Sequence, residues 1–305
     1  MPVINSLIVK KGSSNSFCKQ FAIDANNKAY PVNNIIDFSG VEDVANGTFL
    51  GLYKRGDGYR TLLDIATLDL SSLIHITGDS AFDDAFYNTY GYSKIDMSNL
   101  VYIGNSGINY SCRNMFYIYY GSIDQMSLQE VDLRNLEAID GYFSCSYMFF
   151  YQKKLTTINF SKLKTIGVRG SYCCNHMFNS CTNLETIDLS ALEKITNDHS
   201  CCYMFSNCSK LANVDLSSLE EISGDCCLNC AFNNCTSLTT LSFPALKSSG
   251  INVNRGQFGA MLNGVTGCTV HFPSNLQAVI GSWGDVANGF GGINTTVLFD
   301  LPATE

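Results

Sequence analysis

Fourteen cysteines and four histidines stand among the 305 residues, and with these side chains the chain would do nucleophilic or metal chemistry. Cys173-Cys174, Cys201-Cys202 and Cys226-Cys227, with Cys112, Cys145 and Cys230, form one group. Thiolate and neutral imidazole are natural zinc ligands, and His176 and His199 lie close to these pairs. Yet Cys227-x-x-Cys230 is the only C-x-x-C spacing, and no second pair completes a zinc set. A second group, Cys181, Cys208 and Cys235, follows a phenylalanine by three residues each time. Such periodic cysteines read as packing thiols, small hydrophobes at inward positions, ahead of disulfides or a metal site. His75, His176, His199 and His271 fall in four different segments, and none has an acid and a Ser or Cys at a recognisable motif spacing. The sequence therefore predicts no enzyme, no catalytic residue, no metal site and no cofactor.

Two other sets of polar side chains point to recognition. Asp37, Asp69, Asp96, Asp132, Asp188 and Asp215 each sit between two apolar residues, with Asn159 and Ser242 interrupting the series. On a strand, that alternation turns the aspartate outward. Stacked carboxylates about 5 Å apart repel by about 1 kcal/mol or less when solvated. Serines such as Ser71, Ser98, Ser190 and Ser217, two residues on, are placed to relieve them, and a bound Ca²⁺ would do the same. The bland expectation is a solvated polar face. Asp69, Asp96, Asp132, Asp188 and Asp215 are the candidate partner surface on it.

The second set is aromatic. Tyr117, Tyr119 and Tyr120 lie in a segment that exceeds the repeat, and Tyr142, Phe143, Tyr147, Phe150 and Tyr151 follow in the next one. Tyrosine offers rigid contact area with a polar tip, suited to a protein or glycan partner. Arg55-Gly56-Asp57 is an integrin-recognition tripeptide in a Gly-rich insertion, where a turn is the default reading.

The elements that must position these residues are written in one motif, C-T-N-L-E-T-I-D-L-S-A-L-E-K-I over 181–195. Its strand-like core recurs with the first apolar residue at Ile36, Leu68, Ile95, Val131, Ile158, Ile187, Val214, Leu241, Val270 and Val297, at spacings between 27 and 36. A period in this range marks a solenoid. Ten stacked strands at about 4.8 Å predict a rod or arc roughly 45 Å long. A second periodic element pairs Met115-Phe116, Met148-Phe149, Met177-Phe178, Met204-Phe205 and Ala231-Phe232 on the far side of the coil. The long spacings mark insertions at 51–60 and 117–129. Residues 1–34 depart from the repeat; a hairpin around Asn26-Asn27 is expected to cap the first coil. The solenoid is expected over 35–268, and degenerate repeats with a cap, including Trp283, over 269–305.

Composition limits the partners. The net charge of −8 argues against nucleic acid or an anionic membrane surface. No run of 18 apolar residues predicts a membrane-spanning helix, and the first residues lack the charged and apolar regions of a signal peptide.

The strand, the M-F pair and the C-x-x-L lead into the next strand resemble the BspA-like (treponemal-type) bacterial leucine-rich repeat. The resemblance spans about 36–300 and is densest over 131–246. It departs in the strand aspartate, in Met for the usual Ala before Phe, and in about four extra residues per coil. What it implies is a leucine-rich-repeat-like solenoid, with short parallel strands on one side and turns, loops and short helical or 3-10 segments on the other. It also implies a bacterial surface adhesion scaffold meeting a protein or glycan. The alternative is a structural virion component, a bacteriophage fibre, decoration or adaptor protein, which needs no export signal.

Overall fold

In the computed structural model, every I-D-L-type core forms a strand of a parallel β-solenoid. The structure describes residues 21–23, 29–31, 35–38, 40–44, 63–65, 67–119, 126–281 and 289–305. The Arg55-Gly56-Asp57 insertion, Tyr120 and Trp283 lie outside them. Phe21–Ile23 and Ala29–Pro31 pair antiparallel, as the Asn-rich turn between them predicts.

The ten predicted strands make the first wall, in three hydrogen-bonded groups. Ile35–Asp37 pairs with Thr67–Asp69. Lys94–Asp96, Glu130–Asp132, Thr157–Asn159, Thr186–Asp188 and Asn213–Asp215 form a continuous parallel ladder. Thr240–Ser242, Thr269–Pro273 and Thr296–Leu301 form the last group. Period-two alternation sets the faces: Ile158 and Ile187 are each 3% exposed, while Asp188 between Ile187 and buried Leu189 is exposed.

A second wall is also a parallel ladder, where the sequence predicts only turns. It stacks seven two-residue strands: Asp43–Val44, His75–Ile76, Tyr102–Ile103, Ala138–Ile139, Thr165–Ile166, Lys194–Ile195 and Glu221–Ile222. In each, the second residue is buried and the first looks outward, so one alternation suffices. Cross-coil pairs such as Lys194 with Glu221 at 3.0 Å lie outside it.

The Met-Phe side forms the third wall, and of the turns, loops and short helical segments expected there, it is mostly a row of turns. Over 172–181, the N–H groups of Tyr172, Cys174, His176, Phe178 and Ser180 donate to carbonyls of the next coil at 2.8–3.0 Å. The N–H groups of Asn175, Met177, Asn179 and Cys181 donate to the carbonyl three residues back. The backbone is thus paired both along the coil and between coils. This geometry needs a left-handed residue every fourth position: Tyr172, His176 and Ser180 have φ of 61°, 54° and 65°. The same places in neighbouring coils are Phe143, Tyr147 and Tyr151, and His199, Tyr203 and Asn207. A non-glycine residue there costs about 1–2 kcal/mol, which the double set of hydrogen bonds offsets. Helical turns among the described residues are confined to the last coils, at Val253–Arg255, Ser274–Leu276 and Gln277–Ile280.

Between the walls runs one apolar core. Phe86, Phe116, Phe149, Phe178, Phe205 and Phe232 stack ring on ring, with centroids 5.3–5.7 Å apart. Beside them the thiols of Cys181, Cys208 and Cys235 donate to the carbonyls of Phe149, Phe178 and Phe205 in the preceding coil, at 3.3, 3.2 and 3.1 Å. The coils approach closely enough that a Cβ on Gly104, at φ +82°, would overlap the carbonyl oxygen of Asp140. At the C-terminal end Phe290 and Phe299 cover Phe272.

Candidate functional site

The aspartate column faces outward except at Asp132, which is 3% exposed, and its first task is local. One carboxylate oxygen of Asp69, Asp96, Asp188 and Asp215 accepts the backbone N–H two residues on, at 2.9–3.0 Å. Asn159 makes the same bond to Ser161 N at 3.1 Å, so the amide interrupts the charge and keeps the turn. This is the Asx turn, and it bends the chain out of each strand. Among the serine hydroxyls, only that of Ser71 donates to its aspartate, at 2.7 Å. Like-charge relief is otherwise backbone dipole and, at Asp132, the Arg134 guanidinium folded onto the carboxylate. That hydrogen-bonded cation holds the Asp132 carboxyl below its usual range. Asp96 with Asp132, and Asp188 with Asp215, are in direct register.

Of the predicted tyrosines, Tyr117 and Tyr119 lie on the turn wall, not beside the aspartates. Tyr117 stacks between Tyr87 and Phe150, with centroids 4.9 and 4.7 Å away, and burial raises its phenol pKa. Tyr119 is 47% exposed, and Tyr120 lies outside the described residues.

The structure adds two aromatic columns. Tyr110, Phe143, Tyr172 and His199 form one, with centroid steps of 5.7, 4.5 and 4.6 Å. Tyr147, His176 and Tyr203 form the other, with two steps of 4.6 Å. All seven occupy left-handed positions of the turn wall, which aim them outward. Tyr142, 41% exposed, meets Phe143 edge to face at 4.5 Å. Arg113 closes one end, 4.1 Å over the Tyr110 ring and forked onto Asp83 at 2.9 and 2.6 Å. A signal for these columns stands in the sequence: aromatics four apart at 143, 147 and 151, repeated at 172 and 176 and at 199 and 203. Four apart reads as a helix face, and the turn wall has no helix to offer it.

His176, sandwiched between two tyrosines, is neutral. Burial pushes its pKa down to about 4, and Asn179 Nδ2 meets its Nδ1 at 3.0 Å. A base with a lowered folded-state pKa contributes full stability above its unfolded value of about 6.5 and loses it as pH falls towards 4. After discounting for partial exposure, the loss is about 1–2 kcal/mol. Urea unfolding of wild type and His176→Phe at pH 7.5 and pH 4 checks this. The stability of the variant relative to wild type should rise by that amount on acidification, and a constant difference would exclude the effect.

All thirteen described cysteines are free thiols, and all but Cys226 are buried. Among the described residues no group of three or more His, Cys, Asp or Glu is placed to hold a metal. Burial raises the Cys201 thiol well above its ordinary pKa, while His199 lies in the outward column. Cys173 and Cys227 occupy a place taken by Ser144 and Ser200 in other coils, and all four donate to nearby carbonyls. The fold does bring acids to two histidines: His75 to Asp43 and His271 to Asp300, each at 2.9 Å. No hydroxyl or thiol among the described residues hydrogen-bonds either ring. No described helix is long and apolar enough to cross a membrane.

No protein-family model and no curated protein matches the chain. Among solved structures it is similar to a leucine-rich repeat protein of T. pallidum, at 16% identity and a TM-score of 0.35, over 75% of this chain and 91% of that one. It is also similar to a leucine-rich repeat protein from Bacteroides ovatus, at 14% identity and a TM-score of 0.22, over 92% of this chain and 90% of that one. A leucine rich cell surface protein from Faecalibacterium prausnitzii gives 14% identity and a TM-score of 0.21, over 91% and 92%. The fold itself rests on the parallel ladders described above: the chain is a parallel β-solenoid, similar to leucine-rich-repeat structures.

Proposed function

We propose that this protein is a non-enzymatic recognition scaffold that binds a protein partner through its turn wall. The observation that carries the reading is the aromatic surface there, two outward columns flanked by the exposed rings of Tyr119 and Tyr142. Within the columns the ring faces cover one another, so edges and hydroxyls are offered outward. Sugar stacking needs free faces, whereas rigid tyrosine edges suit a protein surface. The outward aspartates Asp69, Asp96, Asp188 and Asp215 make a second, acidic contact surface on the strand wall, favouring a basic partner region; Asp132, predicted with them, is buried under Arg134 and drops out of it. The repeat resemblance supports display on a bacterial surface.

A binding screen against purified matrix, serum and bacterial surface proteins tests the reading, repeated with a Tyr119→Ser/Tyr142→Ser variant. Both side chains are exposed, so the fold should stand. A partner is expected whose affinity falls by about tenfold or more in the variant. No binder in the screen would overturn the recognition reading, and equal binding by the variant would remove the turn wall from it.

A further inference from the structure

The strand wall is interrupted once within the densest part of the repeat. Asn213–Asp215 and Thr240–Ser242 are neighbours in the stack, yet they belong to different hydrogen-bonded sheets. Between them opens a cleft of about 300 Å³. Val214 forms part of its floor and is only partly buried, where its equivalents Ile158 and Ile187 are each 3% exposed. Pro244, which lacks an N–H, adds a second apolar surface.

The polar lining is unengaged. Asp215 has no ion-pair partner among the described residues, and Ser217 N–H, at 2.9 Å, takes only one of its oxygens. The side chains of Asn213, Thr240 and Ser242 line the same cleft. Asp215 lines this cleft, and no guanidinium folds onto it as Arg134 does onto Asp132.

We infer that this cleft is a binding site for a neutral sugar residue. The volume is at the lower end of small-molecule sites, the size of a single ring rather than a peptide. One carboxylate with an amide and two hydroxyls matches adjacent sugar hydroxyls, and Val214 with Pro244 meets the C–H face of the ring. The unpaired carboxylate of Asp215, with Asp188 in register beside it, repels anions, which excludes uronic acids and phosphates. The site lacks an aromatic platform, so the affinity is modest, with a Kd on the order of 1 mM. This inference does not rest on the aromatic turn wall, and its test touches other residues.

Amide chemical shifts of the labelled protein are followed while methyl β-galactoside, methyl α-mannoside, cellotetraose and chitotetraose are titrated in turn, with tetragalacturonate as the anionic comparison. The expected result is saturable shifts confined to 213–217 and 240–244 with at least one neutral sugar, and none with tetragalacturonate. Asp215→Asn should weaken binding by about tenfold, because a charged acceptor is replaced by a neutral one. The fold survives that change, since Asn159 holds the equivalent turn in its own coil. Thr240→Val with Ser242→Ala, which keeps the apolar floor, should also weaken it. No saturable shift at these amides with any neutral sugar would overturn the site, as would equal binding by both variants or binding of tetragalacturonate.

Discussion

Replacing Phe178 by alanine should destabilise the solenoid by about 3–5 kcal/mol. The ring is 0% exposed and lies mid-stack, 5.5 Å from Phe149 and 5.7 Å from Phe205, with Phe160 edge-on at 5.9 Å. Transfer and cavity terms both act, because collapse is opposed from every side. The Phe178 N–H is bonded to Met204 O at 2.9 Å, so its own backbone is held between coils. In a repeat array the void can be filled only by the two adjacent coils. Phe178→Leu keeps most of the volume and should cost about half as much or less. Urea unfolding measures both, and a loss under about 1 kcal/mol for the alanine variant would show that the stack is not the core.

Asp140→Ala should cost about 3 kcal/mol, the largest effect expected at a polar side chain. The residue is 1% exposed, and its carboxylate binds four donors. Gly141 N and Arg169 N reach Oδ1 at 2.9 and 2.6 Å, and Arg169 Nε and Tyr102 hydroxyl reach Oδ2 at 2.8 and 3.2 Å. These donors come from three successive coils, so the carboxylate fastens them to one another. Alanine strands two backbone N–H groups and leaves the Arg169 charge to water, which its 51% side-chain exposure allows. Asp140→Asn retains one acceptor and should lose roughly half as much. Equal melting of Asp140→Ala and wild type would mean that water replaces the carboxylate without penalty.

Nine of the ten strands of the first wall were legible because each carries a full apolar–polar–apolar alternation around one aspartate or its substitute; the last, Val297-Leu298-Phe299, was legible only from its spacing. The second wall was not, since two residues such as Lys194 and Ile195 give no period. The turn wall was hidden for another reason. Its left-handed backbone is usually announced by glycine or asparagine. Asn207 and Asn234 do announce one column, but Tyr172, His176 and Tyr203 in the others do not. The aspartates other than Asp132 were correctly placed outward, yet their bond to the N–H two residues on depends on how the chain leaves the strand. Tyr117 stands out in the sequence as surplus to the repeat; the fold uses it as the middle of a three-ring stack.

The interruption between Asn213–Asp215 and Thr240–Ser242 has a mechanical side. On the opposite turn wall the same two coils remain joined by N–H groups of Cys226, Leu228, Cys230, Phe232 and Asn234, at 2.7–3.0 Å. The second wall adds one backbone bond there, Lys247 N to Glu220 O at 2.9 Å, and the Lys247–Glu220 ion pair at 3.0 Å. Stiffness across this junction is therefore lopsided, high along one edge and low along the other. With that imbalance, bending at the junction costs least as a swing about the turn wall. The same swing sets the width of the gap that Val214 and Pro244 line.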